Sequence, residues 1–233
     1  MRSWKPLLKI AGIYLLIFGA FLFVPLWLNR TLTASSDSLN THTTVIIDAG
    51  HGGEDGGAIS CTGKYESHIN LQIALRLEDM MHLLGLQTIM IRSDDRSIYT
   101  NGTSIATRKI SDIKERVRIV NHTPNALYIS IHQNHFANPK YYGAQVFYNP
   151  YADSKLFATQ LQSALKSSLD PMNRRKTKQS NGVYIMEHIA CTGVLVECGF
   201  LSNPQEEQLL TTEEYQKKIA ATIAAATSQY LNT

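Results

Sequence analysis

Residues 46–57 read Ile-Ile-Asp-Ala-Gly-His-Gly-Gly-Glu-Asp-Gly-Gly, a short apolar run that leads directly into a glycine-rich loop. The β-branched residues predict a buried strand, and the glycines let the backbone of the loop approach a ligand closely. One histidine, His51, lies among these glycines. The stretch therefore indicates a ligand site at the carboxyl end of the first strand.

The loop does not match the glycine-rich motifs that bind nucleotides. A dinucleotide fingerprint would need a glycine where Asp55 stands. A P-loop needs Ser or Thr after its lysine, but Tyr65 follows Lys64, and the glycine spacing before it is one residue too long. A Gly-x-Ser-x-Gly nucleophile motif is absent from the sequence. The loop therefore serves a different chemistry.

Beyond residue 43 the chain alternates between strand and helix patterns. Strands are predicted at 44–48, 88–91, 127–132, 145–148, 183–186 and 194–197, and helices at 70–84, 112–120, 154–169, from 204 onwards and at 212–231. Asp112 and Glu115 resemble a capping box that starts the second helix, after a surface loop at 94–108. The alternation predicts an α/β fold with a mostly parallel central sheet and helices on both faces.

Four side chains with metal or proton chemistry lie at or near the predicted strand ends. His51, His132 and Glu197 each end a strand, and Glu66 follows the glycine-rich loop. Ligands in parallel α/β folds gather beyond the carboxyl ends of strands, which is the reason to group these residues. Two imidazoles and two carboxylates are the side chains of a hydrolytic zinc site, with three ligands and one carboxylate that takes the proton from water.

Each of these residues has a simpler interpretation when taken alone. A histidine at a strand end is often structural, and Glu66 would also suit the positive end of a helix dipole. His68 and His135 are rival ligands, although one opens a predicted helix and the other lies in a loop. Residues at the carboxyl ends of parallel strands lie closer together, so His51 and His132 are favoured as ligands over His68 and His135.

The three cysteines indicate neither a metal site nor a disulfide framework. Cys61, Cys191 and Cys198 lack the spacing of a zinc knuckle, and their number is odd. Free thiols are expected, with Cys191 and Cys198 as small buried side chains beside an apolar strand. A nucleophilic role for Cys198 is left open, but no local signature supports it.

The N-terminus has the pattern of a membrane segment. Three basic residues precede an uncharged apolar run at 10–28, close to the roughly 20 residues that cross a bilayer. We predict an anchor at 1–30, a polar tether at 31–43 and a catalytic domain at 44–233 on the extracytoplasmic, cell-wall side. The alternative is a cleaved signal peptide, with a poor cleavage site at 32–34.

The charge distribution argues against a nucleic-acid partner. Residues 1–30 hold four of the 22 basic residues and no acid, so the rest of the chain carries 18 basic and 19 acidic residues, a net charge of −1. The one basic cluster, at 174–178, is interpreted as a solvated loop.

Four segments together resemble the zinc-dependent N-acetylmuramoyl-L-alanine amidases, in that family's order. They are Val45–Gly53, Glu66 ahead of Asn70-Leu71, Ser130–Asn134 and Val194–Asn203. The resemblance covers residues 44–231 and implies Zn²⁺ held by His51, Glu66 and His132, with Glu197 as the catalytic carboxylate. It also implies peptidoglycan as the substrate, cleaved at the amide between the muramic acid lactyl group and L-alanine.

Within the family, the small catalytic domain behind an N-terminal anchor looks like the spore-cortex, germination-specific amidases. That resemblance implies removal of stem peptides so that muramic δ-lactam forms, between the forespore and mother-cell membranes. The run Gln133-Asn134-His135-Phe136 departs from the small residues common there, and Asn134 is a candidate substrate contact. An accessory activating protein is left open.

Three other functions are compatible with parts of this pattern. A general cell-wall autolysin would share the reaction, and a zinc peptidase or deacetylase would share the metal chemistry. A non-catalytic peptidoglycan-binding module would share only the fold. Loss of Glu197 or of a ligand would have indicated such a module, but all four residues are present.

Overall fold

A computed structural model of the chain describes residues 43–233. The predicted anchor and nearly all of the predicted tether lie outside these residues, so both stay predictions. Within 43–233, none of the helices combines the length and the apolar character needed to span a bilayer.

The order of elements follows the predicted alternation of strands and helices. The strands are β1 (Thr44–Ala49), β2 (Gln87–Met90), β3 (Ala126–Asn134), β4 (Gln145–Tyr148), β5 (Lys178–Gln179) and β6 (Thr192–Phe200). The helices are α1 (Glu66–Leu83), α2 (Ile105–His122), α3 (Ser154–Leu169), α4 (Tyr184–His188), α5 (Pro204–Leu210) and α6 (Glu213–Leu231).

The six strands form one mixed sheet in the order β2-β1-β3-β6-β4-β5. All neighbouring strands are parallel except β4 and β6, which are antiparallel. The predicted mostly parallel sheet is therefore confirmed, with β4 and β5 running opposite to the other four strands. Because β1, β3 and β6 are adjacent and parallel, their carboxyl ends meet at one edge of the sheet.

Helices cover both faces of this sheet, and the two faces differ in composition. On one face, buried residues such as Ile47, Ile129 and Val196 lie beneath α1, α3 and α6, which pack on one another. On the other face, Tyr128 and Leu195 pack with residues of α2 and α4. Because side chains alternate along a strand, this second face also carries His132 and Glu197.

Helix α2 begins at Ile105, seven residues before the predicted start, and the predicted capping box is wrong. The cap is formed by Ser104 and Thr107, each of which accepts a hydrogen bond from the backbone of the other. The carboxylate of Asp112 instead accepts hydrogen bonds from the backbone of Ile98 and from Arg116, both at 2.6 Å. Asp112, in the interior of α2, thus makes a tertiary contact instead of capping the helix.

The predicted strand at 183–186 is also wrong, because these residues belong to the short helix α4. Ile185 and Met186 are buried in the core, and the rings of Tyr184 and His188 stack at 3.8 Å, one helical turn apart. A run of four apolar residues is compatible with either structure, and periodicity alone does not decide between them. The two-residue strand β5 carries no such run and was not predicted.

Beneath the site, a buried arginine ties α2 to the sheet. Arg116 donates to the carboxylates of Asp48 and Asp112, and Asp48 also accepts a hydrogen bond of 2.5 Å from the hydroxyl of Tyr128. Burial alone would lower the pKa of Arg116, but these two carboxylates outweigh it and raise the pKa. The arginine is therefore charged, and its charge is paired.

Arg116→Met removes the cation between Asp48 and Asp112 and leaves their negative charge unpaired. Deleting one partner of a buried ion pair costs about 3–5 kcal/mol, so we expect the free energy of unfolding to fall by about that amount, as measured by urea denaturation. The matched control is Arg118→Met on the same helix. Arg118 is exposed and pairs with Glu115 at the surface, so this variant should unfold at the wild-type urea concentration. Equal midpoints for the two variants would contradict this assignment.

Candidate metal centre and active-site cleft

Glu66 lies between the two predicted histidine ligands. Its Oε1 lies 2.9 Å from Nδ1 of His132, and its Oε2 lies 3.3 Å from Nε2 of His51. The two rings meet edge to face, with centroids 5.0 Å apart. One donor atom from each of the three residues lies within 4.8 Å of the others, so the group is able to hold a metal ion.

The carboxylate of Glu66 is held in place by further donors. The backbone of Ala58 donates to Oε2 at 2.9 Å, while the backbone of Gln133 and the amide of Asn70 donate to Oε1, each at 3.1 Å. Burial alone would raise the pKa of Glu66, but the two histidines outweigh it and hold that pKa well below its usual range. Glu66 is thus an anion in the first turn of α1, which starts four residues before the predicted helix.

His51 has a backbone conformation that is unusual for a residue with a side chain. Its φ is +63°, in the left-handed region, and its neighbours Gly52 and Gly53 also have positive φ. Buried guanidinium groups hold this turn: Arg92 donates to the carbonyls of residues 49, 50 and 67, and Arg116 donates to those of residues 49 and 51. The strained turn is therefore fixed by hydrogen bonds from below.

Gly50 brings β1 into direct contact with the second histidine. A Cβ built at this position would lie 2.2 Å from Nε2 of His132. Any side chain here would displace the ring. The glycine is therefore required by the close approach of a side chain, whereas the predicted approach of the backbone to a ligand stays a prediction.

Glu197 lies opposite this group, on the same face of the sheet as His132, with which it is paired in register. Its Oε2 is shielded from solvent and has no hydrogen-bond partner within residues 43–233. Burial raises the pKa of Glu197 to about 7. A carboxyl group with this pKa accepts and releases a proton near neutral pH.

Three of the four predicted site residues, His51, His132 and Glu197, line one cleft of about 370 Å³, whereas Glu66 is not among its lining residues. The cleft has an apolar wall that includes Ile105, Ile113 and Leu195, and a charged rim. Asn134 is not among the described residues that line it; its carbonyl accepts a hydrogen bond from the backbone of Leu201. Its role as a substrate contact stays a prediction.

The rival residues do not join the group. His68 is exposed and pairs with Asp95 at 3.0 Å, and His135 is exposed in the loop after β3. The cysteines are free thiols: Cys61 is exposed, Cys191 is half-buried and Cys198 is buried. Burial raises the pKa of the Cys198 thiol, which argues against a nucleophilic thiolate.

Sequence reasoning missed the residues that surround the ligands. Asp55 contacts the ring of His51, and Arg92 and Arg116 hold the backbone beneath it. The spacing of Asp55, four residues after His51 in the same loop, was an available signal. Nothing local marks the arginines, which lie more than 40 residues further along the chain.

This donor set fits zinc better than harder cations. Two imidazole nitrogens and one carboxylate oxygen are the ligands of open, catalytic zinc sites, whereas magnesium and calcium prefer oxygen ligands alone. The cleft beside the group leaves room for water and substrate, and Glu197, whose Oε2 has no partner within the described residues, also lines it.

Comparison with known proteins agrees with this geometry. Residues 45–229 match the family model described as N-acetylmuramoyl-L-alanine amidase. The germination-specific N-acetylmuramoyl-L-alanine amidase of Bacillus subtilis is 39% identical over 80% of this chain and 78% of its own length. The amidase AmiA of Escherichia coli is 28% identical over 81% of this chain and 76% of its own length.

Solved structures give the same result. The CwlD amidase from Clostridioides difficile, in complex with the GerS lipoprotein, superposes with a TM-score of 0.79 at 38% identity, over 82% of this chain and 98% of that one. An N-acetylmuramoyl-L-alanine amidase from Clostridium difficile 630 follows with a TM-score of 0.71 at 31% identity, over 83% of this chain and 98% of that one. The chain therefore belongs to the N-acetylmuramoyl-L-alanine amidase family of peptidoglycan hydrolases.

Proposed function

We propose that this enzyme is a zinc-dependent amidase whose metal is held by His51, Glu66 and His132. The proposed reaction is hydrolysis of the amide between the lactyl group of muramic acid and L-alanine. The observation that carries the proposal is the placement of Glu66 between both imidazoles, with Glu197 facing the same cleft. A bound zinc ion supplies an acidified water and polarises the substrate carbonyl.

Glu197 is the proposed proton carrier. Its shielded Oε2 takes a proton from the attacking water and passes it to the nitrogen of L-alanine, because an amine leaves readily only when protonated. The raised pKa suits both halves of this transfer, since the carboxylate must gain the proton and then lose it. The apolar residues Ile113 and Leu195 line the same cleft as Glu197.

The biological role that we propose is cortex maturation in spores, in which stem peptides are removed so that muramic δ-lactam forms. Its support is the similarity to the germination-specific amidase of Bacillus subtilis and to the CwlD amidase. We further propose an extracytoplasmic location with an anchor at 1–30, and an accessory protein comparable to the lipoprotein bound to that relative.

One prediction of this proposal concerns the metal ligands. His51→Ala and His132→Ala each remove one of three ligands, so elemental analysis should show loss of the single bound zinc ion. His68→Ala is the matched control, because His68 is an exposed histidine that pairs with Asp95 outside the group. Full zinc content in both ligand variants would refute the proposed site.

Zinc affinity should also depend on pH. Burial would lower the pKa of His51, but hydrogen bonds to Asp55 and Glu66 outweigh it and, without a metal ion, raise the pKa of His51 to about 9. A ligand histidine must be neutral, so zinc displaces this proton, and affinity should fall roughly tenfold per pH unit below pH 9. Chelator competition between about pH 6 and pH 9 measures the slope; a flat profile would contradict it.

A further prediction concerns Glu197 and tests the reaction itself. Purified wild-type enzyme with zinc should release stem peptides from peptidoglycan, seen by mass spectrometry of the muropeptides. Glu197→Gln keeps the shape of the side chain but not its proton transfer, so turnover should fall about 10²–10⁴-fold. Zinc content should be unchanged, because Glu197 is not a proposed ligand.

Two outcomes would change this mechanism. Turnover at the wild-type rate in Glu197→Gln would show that another group carries the proton. Loss of zinc together with activity would make Glu197 a ligand and Glu66 the candidate base.

A further inference from the structure

The ring of His51 contacts two carboxylates, which distinguishes it from the other proposed histidine ligand. One nitrogen, Nε2, faces Glu66 at 3.3 Å, and the other, Nδ1, lies 2.9 Å from Oδ2 of Asp55. The ring of His132, by contrast, contacts only the carboxylate of Glu66 among the described acidic residues. Asp55 is thus a carboxylate that touches a ligand ring from outside the ligand set.

Asp55 is itself held from two directions. Its Oδ1 lies 2.7 Å from Nζ of Lys109 on α2 and accepts a hydrogen bond of 3.3 Å from the backbone of Gly57. Asp55 and the ring of His51 are each about one quarter exposed, so the contact is partly shielded. A continuous chain of contacts therefore leads from α2 through Lys109 and Asp55 to the imidazole.

We infer that Asp55 is a positioning residue for metal binding, anchored by Lys109. It accepts the hydrogen bond of Nδ1–H, so that Nε2 of His51 carries the lone pair on the side of Glu66. The inference rests on the proposed zinc site and extends it to two residues that do not touch the metal. A carboxylate behind a ligand histidine fixes the tautomer, orients the ring and makes the ligating nitrogen more basic.

The geometry of the loop explains why such support is needed. His51 stands at φ +63° between glycines, and the backbone alone leaves its ring free to turn about the side-chain bonds. In a neutral imidazole either nitrogen carries the proton, and a ring with the proton on Nε2 presents no lone pair to the metal. In the neutral ring, the hydrogen bond to Asp55 disfavours that alternative.

The loop contains its own control for this inference. Glu54, the residue before Asp55, pairs with Arg108, the residue before Lys109, at 2.5 Å. Both ion pairs join the glycine-rich loop to α2. Only Asp55 reaches a proposed ligand, so the two pairs separate positioning of His51 from attachment of the loop.

The test compares zinc dissociation constants of the full chain in detergent, measured by competition with a chromophoric chelator. Asp55→Ala should bind zinc about 10–100-fold more weakly. Glu54→Ala should bind it with the wild-type constant, and Lys109→Met should show a smaller loss than Asp55→Ala. Asp55→Asn keeps an oxygen that accepts from Nδ1–H, and should recover part of the affinity.

A spectroscopic readout excludes a merely structural effect. ¹⁵N NMR of the metal-free chain above pH 9 should show a single His51 tautomer in the wild type and a mixture in Asp55→Ala. Wild-type affinity in Asp55→Ala, or equal losses in Asp55→Ala and Glu54→Ala, would overturn the inference and leave the zinc site standing. A wild-type chain that binds no zinc would overturn both.

Discussion

The carbonyl groups of residues 49–51 point into the protein, and two buried arginines hold them there. Arg92 and Arg116 together donate to all three, and Arg92 also donates to the carbonyl of Ser67 in the first turn of α1. One arginine therefore joins the turn that carries His51 to the helix that carries Glu66. The relative placement of two proposed ligands depends on this contact. A turn at positive φ would relax without it.

The surroundings of Glu66 and Glu197 shift the pKa values of these two carboxyl groups in opposite directions. Glu66 is buried, yet two histidines and three further donors stabilise its negative charge. Glu197 is shielded without any such donor, and its pKa rises. Two carboxyl groups with pKa values pushed apart are the usual sign of different roles, here the proposed ligand Glu66 and the proposed proton carrier Glu197. The difference arises from hydrogen bonds, because both residues are glutamates.

The sequence allowed the proposed ligands to be grouped but not the structure that supports them. His51, His132 and the proposed proton carrier Glu197 lie at or near the carboxyl ends of apolar strands, and in a parallel sheet such ends meet, which is why they could be grouped. The start of α2 was misplaced because its first turn lacks an apolar period and Asp112 imitates a cap. The role of the arginines in the loop was not predicted, because the loop groups that they hold are backbone carbonyls. Hydrogen bonds from a side chain to distant backbone carbonyls leave no pattern in the sequence, whereas the alternation of strands and helices and the polar residues at strand ends do.

The reversed direction of β4 has a consequence for how this fold varies. Gln145 begins β4 opposite Glu197, so the segment 135–144 stays at the catalytic edge instead of crossing to the far side of the sheet. Phe136, Tyr141 and Tyr142 are exposed on that segment, which contributes no donor to the proposed metal group. The donors of the proposed metal group and this exposed aromatic surface thus lie on separate stretches of chain. Substitutions of these aromatic residues therefore leave the proposed ligands themselves unaltered.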